Sequence, residues 1–171
     1  MPLPDFRPLP DFPPMPDVPP GPDHVAAILR HADAVLFLRE LGHTGAYNFL
    51  PGGFVEGDES VENACIRAAV ASIAAAVRSL PKRMQINLND SDVRLSLGAE
   101  VHKIRWDRRQ HHFFAVAWAS ERSILEVLPQ IDPKAEMWRP FEWVPINQIR
   151  TRASSVHDRA ACEPADSSLW S

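Results

Sequence analysis

Between Asn48 and Ala74 the chain reads NFLPGGFVEGDESVENACIRAAVASIA, and several of its residues are of types that handle phosphate or metal ions. Gly52 and Gly53 have no side chain to keep a phosphate away from the backbone. They also stand shortly ahead of a helix start, where free N–H groups favour anions. Glu56, Asp58 and Glu59 place carboxylates close together; hard cations such as Mg2+ or Mn2+ take oxygen ligands of this kind, and a carboxylate can serve as a general base. Arg67 carries a fork that pairs with phosphate or carboxylate. Two readings stand. In one, Glu59 and Glu56 are catalytic, Gly52, Gly53 and Arg67 hold a phosphate-bearing ligand, and any metal falls to Glu56, Asp58 and Glu59. In the other, Asp58 and Glu59 stabilise the positive helix start, Glu59 braces Arg67, and the glycines serve a turn. Both readings place Glu59 against Arg67.

A second set lies in HKIRWDRRQHHFF, which brings Lys103, Arg105, Arg108, Arg109, His111 and His112 into one hairpin. Strand alternation separates Lys103 and Arg105 from His102, Ile104 and Trp106, and points His111 and His112 to opposite faces, so the two imidazoles do not share a metal. One reading is a solvated tip that discourages edge pairing. The other is a guide for a nucleotide or RNA phosphate, with Arg105 as a contact and Trp106 stacking a base. Trp138 and Trp143 read as core aromatics, with base stacking as the alternative. Glu121, Glu126, Glu136 and Glu142 can act as a base only if folding carries one of them to the cleft.

The elements that must position these residues can be read from pattern. HVAAIL and AVLFLREL form an antiparallel pair. The glycine-containing stretch GHTGAYNFLPGGFVEGDES reads as a loop, followed by a helix from about Ser60 to Leu80 that Pro81 stops. On that helix Ile66, Val70, Ile73, Val77 and Leu80 make an apolar stripe, with Ala64, Ala68, Ala71, Ser72 and Ala75 opposite. MQINLNDSDVRLSLG shows turn residues without a clear element. AEVHKIRWDRRQHHFFAVAWA is two strands around a turn at Asp107 to Gln110. SILEVLPQI is a short helix or turn, EMWRPFEWVPINQIR holds a last strand and a short helix, and residues 151–171 read as a polar, mobile tail.

Residues 1–23 repeat a Pro-Asp-apolar unit about every six residues, which in a polyproline helix lines Phe6, Phe12 and Val18 along one edge. This is a proline-rich arm ahead of a domain at 24–150. It is either a semi-stiff leader or a segment that packs on its own domain or on a partner.

With 171 residues and 45% hydrophobic composition there is material for one sizeable core. A formal net charge of −4 argues against coating nucleic acid or an anionic membrane through bulk charge. No apolar run approaches a membrane span. The two cysteines, Cys65 and Cys162, suit buried thiols in a reducing cytoplasm better than a disulfide framework, and no export signal is visible.

Gly53, five residues, Glu59, seven residues and Arg67 resemble the first part of the Nudix hydrolase signature, G-x5-E-x7-R-E-U-x-E-E-x-G-U with U aliphatic. The flanking LPGG and Glu56 also resemble it, and the order of strands over about residues 24–150 is similar to the family's. The resemblance implies an α/β fold: an α/β/α sandwich around a mixed sheet. It also implies metal-dependent cleavage of a diphosphate linked to another moiety, through glutamates on the helix. Here the second part reads RAAVASIAA: Ala68, Ala71 and Ser72 stand where the glutamates are expected and Ala74 replaces the glycine. The family's carboxylates would share one helix face at i, i+3 and i+4. The expectation is therefore a Nudix-like domain with a degenerate site that binds a nucleotide or other diphosphate-containing ligand with weak or no hydrolysis. An active hydrolase using relocated acids with Mg2+ or Mn2+, and a protein-interaction scaffold, are the alternatives.

Overall fold

A computed structural model describes residues 21–132, 134 and 138–162; the proline-rich arm up to residue 20, Glu136 and the last nine residues lie outside them. Strands β1 (His24–His31), β2 (Ala34–Gly42), β3 (Gly45–Phe49) and β4 (Gly52–Phe54) precede helix α1 (Val61–Arg78). Strands β5 (Leu95–Trp106) and β6 (Arg109–Trp118), the one-turn helix α2 (Ile124–Val127), strand β7 (Phe141–Pro145) and helices α3 (Ile149–Arg152) and α4 (Val156–Cys162) follow.

The strands form one mixed sheet in the order β3-β2-β1-β6-β5, with β4 also paired to β1 and β7 to β2. β1 runs parallel to β6 and antiparallel to β2 and β4. Its continuous apolar run is explained by cover on both sides: Val25, Ala27 and Leu29 pack with α1, whereas Ala26 and Ile28 pack with α3 and α4 residues such as Ile149, Ala161 and Cys162. The expected α/β/α sandwich around a mixed sheet is the fold observed. The β5–β6 hairpin closes on Asp107 and Arg108, both with positive φ (51° and 61°), the backbone of a two-residue turn matched to strand twist. No helix among the described residues is long and apolar enough to cross a membrane.

Three readings are corrected. The stretch read as a loop contains β3 and β4, because its backbone groups pair with β2 and β1 despite weak side-chain alternation. The helix packs on more than its large residues: Ala64, Cys65, Ala68 and Ala69 are buried with Ile73 and Val77, while Ile66 and Val70 are half-buried. Small side chains let α1 lie close to β4, where a Cβ added at Gly53 would stand 3.1 Å from the Ala68 Cβ. The polar tail does not begin at residue 151. Ala153, Ala161 and Cys162 are core, and the polar residues between them satisfy backbone groups at the end of β3: Ser154 Oγ accepts from the Asn48 N–H at 2.8 Å and Asp158 Oδ2 from the Leu50 N–H at 3.2 Å.

Candidate functional site

The link from β4 to α1 is held by one cation. Arg67 Nε donates to both Glu59 oxygens at 3.1 Å, and Nη2 donates to Glu59 Oε1 at 2.6 Å and to the Phe54 carbonyl at 2.7 Å. Glu59 Oε1 also accepts from the Glu56 N–H at 2.8 Å, while the exposed Glu56 carboxylate stands 3.6 Å from Arg67 Nη1. The bond from Arg67, then that from the Glu56 amide, holds the Glu59 carboxyl below its usual range. Ser60 caps α1, its Oγ accepting from the Asn63 N–H at 3.1 Å, and the exposed Asp58 precedes it. The four groups brace the loop.

The face of α1 that the resemblance fills with acids offers no carboxylate. Ala68 is buried against β4, Ala71 is exposed, and Ser72 Oγ donates back to the Ala69 carbonyl at 3.0 Å. Among the described residues no group of three or more His, Cys, Asp or Glu is placed to hold a metal, and Glu56, Asp58 and Glu59 form no such group. A divalent ion with several carboxylate ligands does not fit the arrangement of the described residues. On the α1 side of the sheet His112 Nδ1 lies 3.0 Å from Glu100 Oε1 and Nε2 lies 3.1 Å from Asp23 Oδ2, so both ring nitrogens face acids.

The opposite side of the sheet holds a cavity of about 360 Å3 beside β4. Its walls combine Phe54, Trp106 and Phe113 with His24, His111 and His157, and Arg109, Ser155 and Asp158 add polar groups. The rings lie in a chain: His24 to Phe54 at 5.3 Å, His24 to His111 at 5.1 Å, His111 to Trp106 at 5.6 Å and Trp106 to His157 at 5.2 Å between centroids. The Arg109 guanidinium sits 4.9 Å from the centre of the Phe54 ring. Burial, reinforced by His111 and Arg109, pulls His24 down to about 4, and burial also lowers His111 against the pull of its bond to the Trp106 carbonyl. Burial pushes Asp158 up to about 6 although the Leu50 N–H favours its charged form. The brace and the cavity meet at Phe54, whose carbonyl is held by Arg67 and whose ring forms a wall.

Of the residues singled out in the sequence, Trp106, Arg109 and His111 line this cavity, and Arg105, the neighbour of Trp106 on an alternating strand, is exposed outside it. Arg109 takes the place expected of Arg105. Neither glycine lines the cavity: Gly52 lies against the backbone of β1 and Gly53 against Ala68 of α1. His24, Phe54, Ser155 just ahead of α4, and the α4 residues His157 and Asp158 were missed; the period of two through Arg109, His111 and Phe113 was the available signal for part of the wall.

No family model matches the chain, and no curated protein matches it. Solved structures do. A Nudix hydrolase from Nitrosomonas europaea superposes with a TM-score of 0.51 at 16% identity, over 83% of this chain and 86% of that one. The ORF135 protein of E. coli gives 0.52 at 17% identity over the same shares, and an ADP-ribose pyrophosphatase from Streptococcus suis gives 0.50 at 14% over 88% and 96%. This chain has the Nudix fold. Within that fold Glu59 and Arg67 stand in contact, and positions 68, 71 and 72 of the helix are alanine, alanine and serine.

Proposed function

We propose that the protein binds a nucleotide or other diphosphate-containing small molecule and hydrolyses it weakly or not at all. The observation that carries this reading is a contrast on the two sides of β4. On one side Ala68, Ala71 and Ser72 remove the carboxylates that would hold divalent ions, and Glu59 is spent on Arg67. On the other, a cavity of about 360 Å3 lined by rings and one guanidinium remains open beside Phe54. That size lies within the range of small-molecule pockets, and several aromatic and imidazole rings with a few polar groups suit a planar base. Diphosphate as the ligand class is supported by neighbours of the same fold, among them an ADP-ribose pyrophosphatase.

Metal stabilisation of a transition state is worth several kcal/mol, so its loss slows cleavage by roughly a thousandfold or more. Binding through rings and Arg109 does not share that loss. The two buried free cysteines fit a reducing cytoplasm. The test is equilibrium binding of a nucleoside diphosphate panel to metal-free protein, read at the Trp106 indole. Saturable binding of a member of the panel is expected; no binding at millimolar ligand would overturn the proposal.

A further inference from the structure

Two guanidinium groups flank one buried carboxylate at the end of the sheet formed by β2 and β7, and a third interacts with it through space. Glu142 Oε2 bonds Arg152 Nη2 and lies 3.8 Å from Arg139 Nη2, while Oε1 accepts from Asn48 Nδ2 at 2.8 Å. The Glu142 and Arg139 side chains are 8% and 11% exposed. Arg39, the third cation, packs its guanidinium 5.4 Å from the centre of the Trp138 ring, and its buried Nε has no hydrogen-bond partner. Burial holds Arg39 below its ordinary range; Glu142 pulls the other way, and Arg139 and Arg152 push it down again. Among the described residues this cluster keeps two positive charges more than its single acid neutralises.

Arg152 is 30% exposed and Arg39 half-buried, and an excess of like charge in such a partly buried cluster is costly unless an anion joins it. Space for one is present. A pocket of about 260 Å3 opens on Arg139, Arg152 and Glu142, with Gln130 and Trp143 also in its wall, while Arg39 is not part of that wall. Guanidinium forks match the oxygens of phosphate in charge and direction, and a phosphoryl dianion balances the excess. We infer that this pocket is an anion site for one phosphoryl group, carried either by inorganic phosphate or by a phosphate monoester. It shares no lining residue with the histidine cavity and stands independently of the function proposed for that cavity.

The tryptophans supply the test, because Trp143 lines the pocket and Trp138 covers Arg39, whereas Trp106 lines the other cavity and the Trp118 indole donates to the Arg122 carbonyl. Full-length 15N-labelled protein is titrated with inorganic phosphate at fixed pH and ionic strength, with chloride as the reference. The Trp138 or Trp143 indole signal is expected to shift saturably while Trp106 and Trp118 stay. A parallel titration with glucose 6-phosphate separates the two sources by which of the ligands binds more tightly. Arg152→Gln, with half-exposed surroundings, and Arg139→Lys, which keeps the charge and loses the fork, should each weaken phosphate about tenfold while the remaining spectrum stays folded. Absence of a saturable shift at Trp138 and Trp143, the same shift with chloride, or unchanged affinity in both variants would overturn the inference.

Discussion

Replacing Gly52 by alanine should damage this fold far more than the same change at Gly53. A Cβ at Gly52 would lie 2.0 Å from the Val25 carbonyl oxygen and 2.9 Å from the Ala26 Cα, both rigid backbone of the central strand. The two strands must part by about 1 Å before the contact is tolerable, which breaks the hydrogen bonds flanking it: Ala27 N–H to the Pro51 carbonyl at 2.8 Å and Val55 N–H to the Asp23 carbonyl at 2.9 Å. Two or three such bonds at about 1 kcal/mol each, with some strain, give a loss of about 2–4 kcal/mol. For a chain of this size that lowers Tm by roughly 5–15 °C. At Gly53 the new methyl meets the Ala68 Cβ at 3.1 Å, and a shift of α1 by a few tenths of an ångström relieves it; the expected cost is below about 1 kcal/mol. Thermal melts of both variants, with hydrogen exchange at the Ala27 and Val55 amides, measure this directly. A Gly52→Ala protein that melts with the parent and keeps both amides protected would refute the packing of β4 on β1.

Other outcomes follow from the same geometry. Asp158 is raised to about 6 from 3.8, so the stability it contributes is full below the lower value and is lost as pH rises through the upper; His24 is lowered to about 4 from 6.5, so its contribution is full above 6.5 and is lost as pH falls through 4. Each is worth about 3 kcal/mol and the two oppose each other, so Asp158→Asn should lose stability more steeply than the parent between pH 6 and 4, and His24→Gln less steeply, in chemical denaturation. Glu59→Gln removes the acceptor charge from both Arg67 and the Glu56 amide, and exchange at that amide should accelerate while the core amides of β1 do not change. Burial pushes both thiols, Cys65 and Cys162, up to about 12, so a thiol reagent at pH 8 should label the native protein slowly and both cysteines promptly in denaturant.

Much of the fold was legible because its signals are local. The apolar run of β1, the capped helix with Pro81 beyond it, and the Asp107–Arg108 turn each follow from residues close together in the chain. β3 and β4 escaped because their order comes from backbone pairing with strands distant in sequence, and a three-residue strand has no periodicity to read. α4 escaped for a related reason: Ser154, Ser155 and Asp158 look like tail residues until Asn48 and Leu50 are placed beside them. The brace of Glu59 and Arg67 was visible in the spacing. The histidine cavity was not, since its walls come from β1, β4, β5, β6 and α4, and only Trp106, Arg109 and His111 stood close enough in sequence to suggest a common surface.

The proposed function requires that the histidine cavity bind a ligand while metal-dependent cleavage is weak or absent. It is tested most directly by following product release from a panel of nucleoside diphosphate derivatives, with Mg2+ or Mn2+ and with chelator, alongside the Trp106 signal. The account predicts saturable binding that persists in chelator and no metal-dependent release. Metal-stimulated turnover of any member of the panel would contradict it and show that acids outside positions 68, 71 and 72 carry the reaction.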